Sequence, residues 1–122
     1  MTKRALILFA HGARDPRWAE PFRRLQQLTQ AQAPDVTVSL AFLELMSPRL
    51  PELVAQLVQE GCGELTVVPV FFGQGGHVLR DLPLMIEQLR QAYPGLVLKS
   101  AQAVGEDAEV LGAIARYCIS TL

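Results

Sequence analysis

Apolar residues occur in short, nearly unbroken runs separated by longer segments where they recur every three or four positions, and this alternation repeats four times along the chain. The runs Arg4 to Ala10 (RALILFA), Val36 to Leu45 (VTVSLAFLEL), Leu65 to Phe71 (LTVVPVF) and Leu96 to Ala101 (LVLKSA) predict strands. The first and third lack the in-and-out alternation of a half-solvated strand, which is the pattern of a strand covered on both faces in a parallel sheet. Lys99 marks the last, shorter run as an edge strand. Between the runs, Trp18, Phe22, Leu25 and Leu28 share one helical face, with Pro21 suited to the first turn and Asp15 before Pro16 able to cap an earlier start. Ser47-Pro48 predicts the N-terminus of a second helix with a stripe of Leu50, Leu53, Val54, Leu57 and Val58, closed by Gly61. A third helix is expected to start near Asp81 with Leu82, Met85, Ile86 and Leu89 inward, and to stop at Pro94-Gly95. The fourth, Asp107 to Thr121, carries Val110, Leu111, Ile114, Ala115 and Cys118 as its stripe.

Strand and helix alternate with short connections, so right-handed crossovers imply one doubly wound, four-stranded parallel sheet with helices on both faces. The expected strand order is 2-1-3-4, flavodoxin-like, within a single α/β domain over residues 1–122. In such sheets ligands sit beyond the carboxyl ends of the strands, where the winding reverses. His11 ends the first strand, Glu44 the second, and His77 follows the glycine loop of Gly73, Gly75 and Gly76 after the third. All three polar groups are therefore expected on one edge of the sheet.

Composition narrows the function. The chain has 122 residues, half of them hydrophobic and 19% charged, and no apolar run approaches the roughly 20 residues that cross a bilayer. The start MTKRALILFAHG has too short an apolar stretch for a signal peptide, which makes the cytoplasm the expected location. Cys62 and Cys118 form no CxxC, so neither a disulfide framework nor a thiolate metal cluster is expected. A net charge of −1 with interspersed signs gives no footprint for nucleic acid and no basic patch for a membrane. A small molecule is the expected partner.

His11 and His77 are the only histidines, and topology sends both to the ligand crevice. Neutral imidazole binds divalent metals or takes up a proton near cytoplasmic pH. Two histidines and one glutamate form an open site, which suits a metal held in transit better than one held for good. Glu44 is open to three readings: metal ligand, proton acceptor, or local cap and ion-pair partner. The glycine loop matches neither GxGxxG nor GxxxxGK[ST], so a phosphate cradle is the weaker alternative. One of Phe71 and Phe72 is expected in the core and the other toward a ligand. Arg14, Arg17 and Arg80 lie near the same edge, where they can meet substrate carboxylates or simply pair with neighbouring aspartates.

LILFAHGARDP, AFLELMSPRLPE and VVPVFFGQGGHVLRDLP together resemble the signature segments of the class II chelatases of the sirohydrochlorin type, in the short, homodimeric form. The resemblance implies insertion of Co²⁺, Fe²⁺ or Ni²⁺ into sirohydrochlorin on the way to cobalamin, siroheme or a nickel cofactor. It assigns His11 and His77 to the active site and Glu44 to the acidic position near the metal. The metal is substrate rather than cofactor, and no organic cofactor is expected. Substrate contacts are expected from Arg14, Phe72, Gly75, Gly76, Val78, Leu79 and Arg80. A domain of this length has a radius of gyration of about 14 Å, and a tetrapyrrole with eight carboxylates is of similar breadth. One copy would line one side only, so a two-fold homodimer around a shared cleft is expected. A non-catalytic metal or tetrapyrrole carrier and a flavodoxin-like phosphate-binding module are the competing readings. An acid phosphatase is disfavoured, because Phe9 and Ala10 precede His11 where such enzymes place arginine before histidine-glycine.

Overall fold

The computed structural model describes residues 2–73 and 75–122, with positions 76, 77 and 79 described by their backbone alone. Four strands, β1 (Lys3–Ala10), β2 (Thr37–Phe42), β3 (Cys62–Pro69) and β4 (Val97–Ser100), form one all-parallel sheet in the order β2-β1-β3-β4. Four helices alternate with them: α1 (Glu20–Gln32), α2 (Leu50–Gln59), α3 (Gly76–Ala92) and α4 (Ala108–Ser120). The expected strand order and alternation are both present. No described helix is long and apolar enough to cross a membrane.

The core lies mainly between the sheet and the α2–α3 layer. Ile7, Phe9, Leu65 and Val67 of the central strands meet Leu50, Leu53, Val54 and Leu57 of α2 and Leu82, Ile86 and Leu89 of α3. Removing a fully enclosed side chain from this layer costs its transfer free energy and leaves a cavity. Leu57→Ala is therefore expected to lower unfolding stability by about 2–5 kcal/mol in urea titration, against about 0.5 kcal/mol or less for Leu28→Ala on the exposed side of α1.

Several element boundaries differ from the sequence reading, among them the end of β2, at Phe42 and not Leu45. Helix α2 begins at Leu50 and not at Ser47-Pro48, because Pro48 accepts a hydrogen bond from the Phe42 amide and Arg49 pairs with Phe42 in a parallel bridge, holding the backbone extended. Its proline in the first turn is Pro51. Helix α3 begins at Gly76, with Gly75 as its extended N-cap, and Pro83 falls within it instead of just after a cap at Asp81. The cause is Val78, which is buried four positions before Leu82 and so extends the apolar stripe back by one turn. Strand β3 starts at Cys62, paired with Lys3, and ends at Pro69.

The opposite face of the sheet is thinly covered. There Ala10, Ala19 and Phe42 make a small cluster with Phe22, Leu40 and Met46, and α1 buries no residue completely. The fourth helix departs most from expectation, since its stripe of Val110, Leu111, Ile114, Ala115 and Cys118 contains no buried residue. Its capping is as the sequence implies: the Asp107 carboxylate accepts a hydrogen bond from the Val110 amide.

Candidate functional site

The carboxyl edge of the sheet is pinned by backbone hydrogen bonds that continue past the strands. The Leu43 amide donates to the Ala10 carbonyl at 2.8 Å, and the Val70 amide donates to the Phe9 carbonyl at 2.7 Å. The segments leaving β1, β2 and β3 thus stay side by side for another residue or more. Gly12 allows the first two to touch, since a Cβ on it would lie 1.8 Å from the Glu44 carbonyl oxygen. Just beyond, the Met46 amide donates to the Glu44 carbonyl at 2.8 Å. Leu45 between them has φ 67, which makes a tight γ-turn of the strained kind.

This arrangement brings His11 and Glu44 together. Nδ1 of His11 and Oε1 of Glu44 are 3.2 Å apart, and both side chains remain partly open to solvent. The second carboxylate oxygen of Glu44, Oε2, is buried and has no hydrogen-bond partner among the described residues. The His11 ring lies on Phe71, with centroids 4.6 Å apart and planes tilted by 36°. Its carbonyl accepts a 2.7 Å hydrogen bond from the Trp18 indole N–H. Backbone, ring face and ring nitrogen are thereby each fixed by a different element.

Trp18 sits on a single 3-10 turn, Pro16–Ala19, whose N-terminus is capped by Asp15. The Asp15 carboxylate accepts hydrogen bonds from the Arg17 amide and, at 2.7–3.1 Å, from its guanidinium. Arg17 thereby holds the Asp15 carboxyl below its usual range. A depressed carboxyl stabilises the fold fully above its unfolded pKa, and the contribution disappears as pH falls through the lowered value. Of the three arginines offered by the sequence, Arg17 is therefore the structural partner of Asp15. Arg14 instead lines a neighbouring cavity of about 280 Å³ with Arg23, Leu45 and Met46.

Beside His11 opens a larger, mostly apolar cavity of about 480 Å³, walled by Trp18 and Phe22 on one side, Phe71 and Phe72 at its base, and Val110 and Ile114 of α4 on the other. Phe71 is buried and Phe72 is 71% exposed, the division expected from the sequence. The base is held by Gly105, whose amide donates to the Phe71 carbonyl at 2.9 Å and where a Cβ would fall 1.9 Å from the Phe72 carbonyl oxygen.

His77 occupies the first turn of α3, at the same sheet edge as His11 and Glu44; its side chain and that of Leu79, like the exposure of Gly76, lie outside what is described. Gly75 is exposed at the helix N-cap, and Arg80 is exposed on α3. Val78 requires a correction: it is buried in the main core and so cannot cover a ligand. Sequence reasoning also took Trp18, Phe22 and Ile114 for ordinary helix-face residues, and missed Gly12 and Gly105. The one local signal was the glycine directly after His11.

A family model described as CbiX matches residues 5–120. The chain belongs to the CbiX family. Among similar proteins is the sirohydrochlorin cobaltochelatase of Methanopyrus kandleri, 32% identical over 82 residues, which cover 67% of this CbiX chain and 57% of the relative. The matched stretch is thus a little over half the length of that relative. A solved structure of a cobalamin (vitamin B12) biosynthesis CbiX protein from Marinobacter aquaeolei VT8 superposes with a TM-score of 0.84 at 32% identity, covering 97% of this chain and 95% of that one. The sirohydrochlorin chelatase SirB from Bacillus subtilis subspecies spizizenii, solved with cobalt, shares the fold with a TM-score of 0.82 at 23% identity. The match to SirB takes in 98% of this chain but 51% of SirB.

Proposed function

We propose that this CbiX chain inserts a divalent metal ion, with cobalt the first choice and iron or nickel as alternatives, into sirohydrochlorin in the cytoplasm, within cobalamin or siroheme synthesis. The observation that carries this reading is the His11–Glu44 pair, 3.2 Å apart on the rim of an apolar cavity at the sheet's carboxyl edge. A flat macrocycle needs apolar cover on its face and polar groups at its metal-accepting centre, and that edge offers both.

The chemistry follows from the donor set. The entering M²⁺ displaces two pyrrole N–H protons and sheds its water. His11 and Glu44, with His77 from the first turn of α3, form an incomplete set of ligands. Such a set strips water without holding the ion against the four ring nitrogens. An imidazole or carboxylate not engaged with the metal takes up the departing protons. Arg14 and Arg80 are candidates for the peripheral carboxylates, and the exposed ring of Phe72 for the macrocycle face. One chain of 122 residues lines one side of a tetrapyrrole, so the working form is a two-fold homodimer.

The test is an anaerobic absorbance assay with sirohydrochlorin and Co²⁺, Fe²⁺ or Ni²⁺. The expected result is conversion to the metallated spectrum faster than the protein-free rate for at least one ion. Tight binding of ion and tetrapyrrole with no acceleration would instead favour the carrier reading.

A further inference from the structure

Where the chain leaves β1, the link between His11 and Gly12 is held by a side chain and not by a neighbouring strand. The Ala10 carbonyl still belongs to the backbone ladder, accepting from the Leu43 amide. The next carbonyl, that of His11, accepts from the indole N–H of Trp18 at 2.7 Å, the short end of the range for an N–H donor. The peptide plane carrying this carbonyl sets the backbone of His11 on one side and the place of Gly12 on the other. Gly12 is where the first loop touches the Glu44 main chain, and the His11 ring meets the Glu44 carboxylate at 3.2 Å. Both contacts therefore depend on one plane. Trp18 has little freedom of its own: its amide donates to the Asp15 carbonyl at 3.0 Å, and its ring leans on Phe22 with centroids 5.6 Å apart. The adjoining Ala19 is buried with Ala10 and Phe42.

We propose that Trp18 is a positioning residue, its indole N–H fixing the His11 peptide and through it the imidazole for the metal-insertion step. This assignment rests on the metal-insertion reading above and adds a residue that need not touch the ion. A cavity wall requires only an apolar ring, which Phe22 and Phe71 already supply beside His11. What sets Trp18 apart is that its one polar atom is engaged with the His11 backbone, while the residue stays 44% exposed and its apolar body lines the cavity. A wall role predicts weaker tetrapyrrole binding when the ring is cut back. Positioning predicts a slower insertion step when the N–H alone is removed, because small displacements of a reacting group are costly.

Trp18 is the only tryptophan in the chain, so replacing tryptophan throughout with 3-benzothienylalanine alters this position alone. The analogue keeps the bicyclic shape and carries sulfur where the N–H was. The wall stays and the hydrogen bond goes. Insertion at saturating sirohydrochlorin and Co²⁺ is expected to slow about 3–10-fold, as loss of one neutral hydrogen bond allows, with KM for sirohydrochlorin unchanged. Trp18→Leu, which also cuts back the wall, is expected to show the same slowing together with a KM raised about fivefold. Co²⁺ alone gives a readout without turnover: its dissociation constant is expected to weaken about 3–10-fold in the analogue protein. In the native protein the single indole N–H resonance is expected to resist solvent exchange and to broaden on addition of Co²⁺. An analogue protein with native insertion rate and native Co²⁺ affinity overturns the assignment, and so does one in which KM rises while the saturated rate holds. A native protein that binds Co²⁺ and inserts nothing removes the metal-insertion reading, and the paired Co²⁺ affinities then still judge whether the indole positions His11.

Discussion

Replacing His11 with alanine is expected to slow cobalt insertion into sirohydrochlorin by about 10²–10⁴-fold while leaving the fold intact. The side chain is partly exposed and rests on Phe71 and Glu44 without filling the core, so stability by urea titration should move by about 1 kcal/mol or less. Under the proposed function the chemical loss is larger, because this imidazole would both hold the entering ion and, with Glu44, help take up the pyrrole protons. His77→Ala is expected to fall in the same range. If both imidazoles hold the ion at once, the double variant should be little slower than either single one, since groups that act as a unit do not contribute additively. Initial rates against Co²⁺ concentration separate a binding defect from a defect in the insertion step. Rates within threefold of the native protein for both single variants would remove this mechanism.

Much of this site was legible in the sequence because it follows from topology. Short apolar runs alternating with amphipathic segments force a parallel sheet, and a parallel sheet of order 2-1-3-4 sends the residues after β1, β2 and β3 to one edge. That argument joined His11 to Glu44 across 33 positions of sequence with no local signal between them. Boundaries were harder to read where one local rule competed with another. Ser47-Pro48 has the residues of a helix start, yet the bond from the Phe42 amide to Pro48 keeps that segment extended to Arg49. Asp81 looks like a cap, but burial of Val78 outweighs it. The fate of α4 lay beyond periodicity altogether. An apolar stripe states that a face wants cover and cannot say how much of it the same chain supplies, and Leu111 and Ile114 are left 43% and 37% exposed. The cavity walls were missed for a related reason: Trp18 and Ile114 line one cavity from positions 96 apart in the chain (114 − 18), where spacing along the chain carries no information.

Gly12→Ala is expected to be the single-methyl change that most directly disturbs the His11–Glu44 pair, costing about 2–3 kcal/mol and about 10²-fold in insertion rate. The penalty is one of contact and not of backbone conformation. The added Cβ would stand 1.8 Å from the Glu44 carbonyl oxygen, 3.0 Å from its carbon and 3.2 Å from the Met46 amide nitrogen. All three are main-chain atoms, so no side chain can swing aside. The segment they belong to has little slack, being tied to β1 by the Leu43–Ala10 hydrogen bond and folded tightly at Leu45, already at φ 67. The methyl must therefore push the two loops apart, and the distance it opens first is the one between His11 and Glu44. Gly73→Ala in the third loop makes the appropriate comparison, because nothing lies within 4 Å of its added Cβ, and it is expected to be near neutral in stability. Urea unfolding and insertion rates on the pair decide the matter. Equal behaviour of the two alanine variants would mean that the close approach of the first two loops is not what holds the imidazole to the carboxylate.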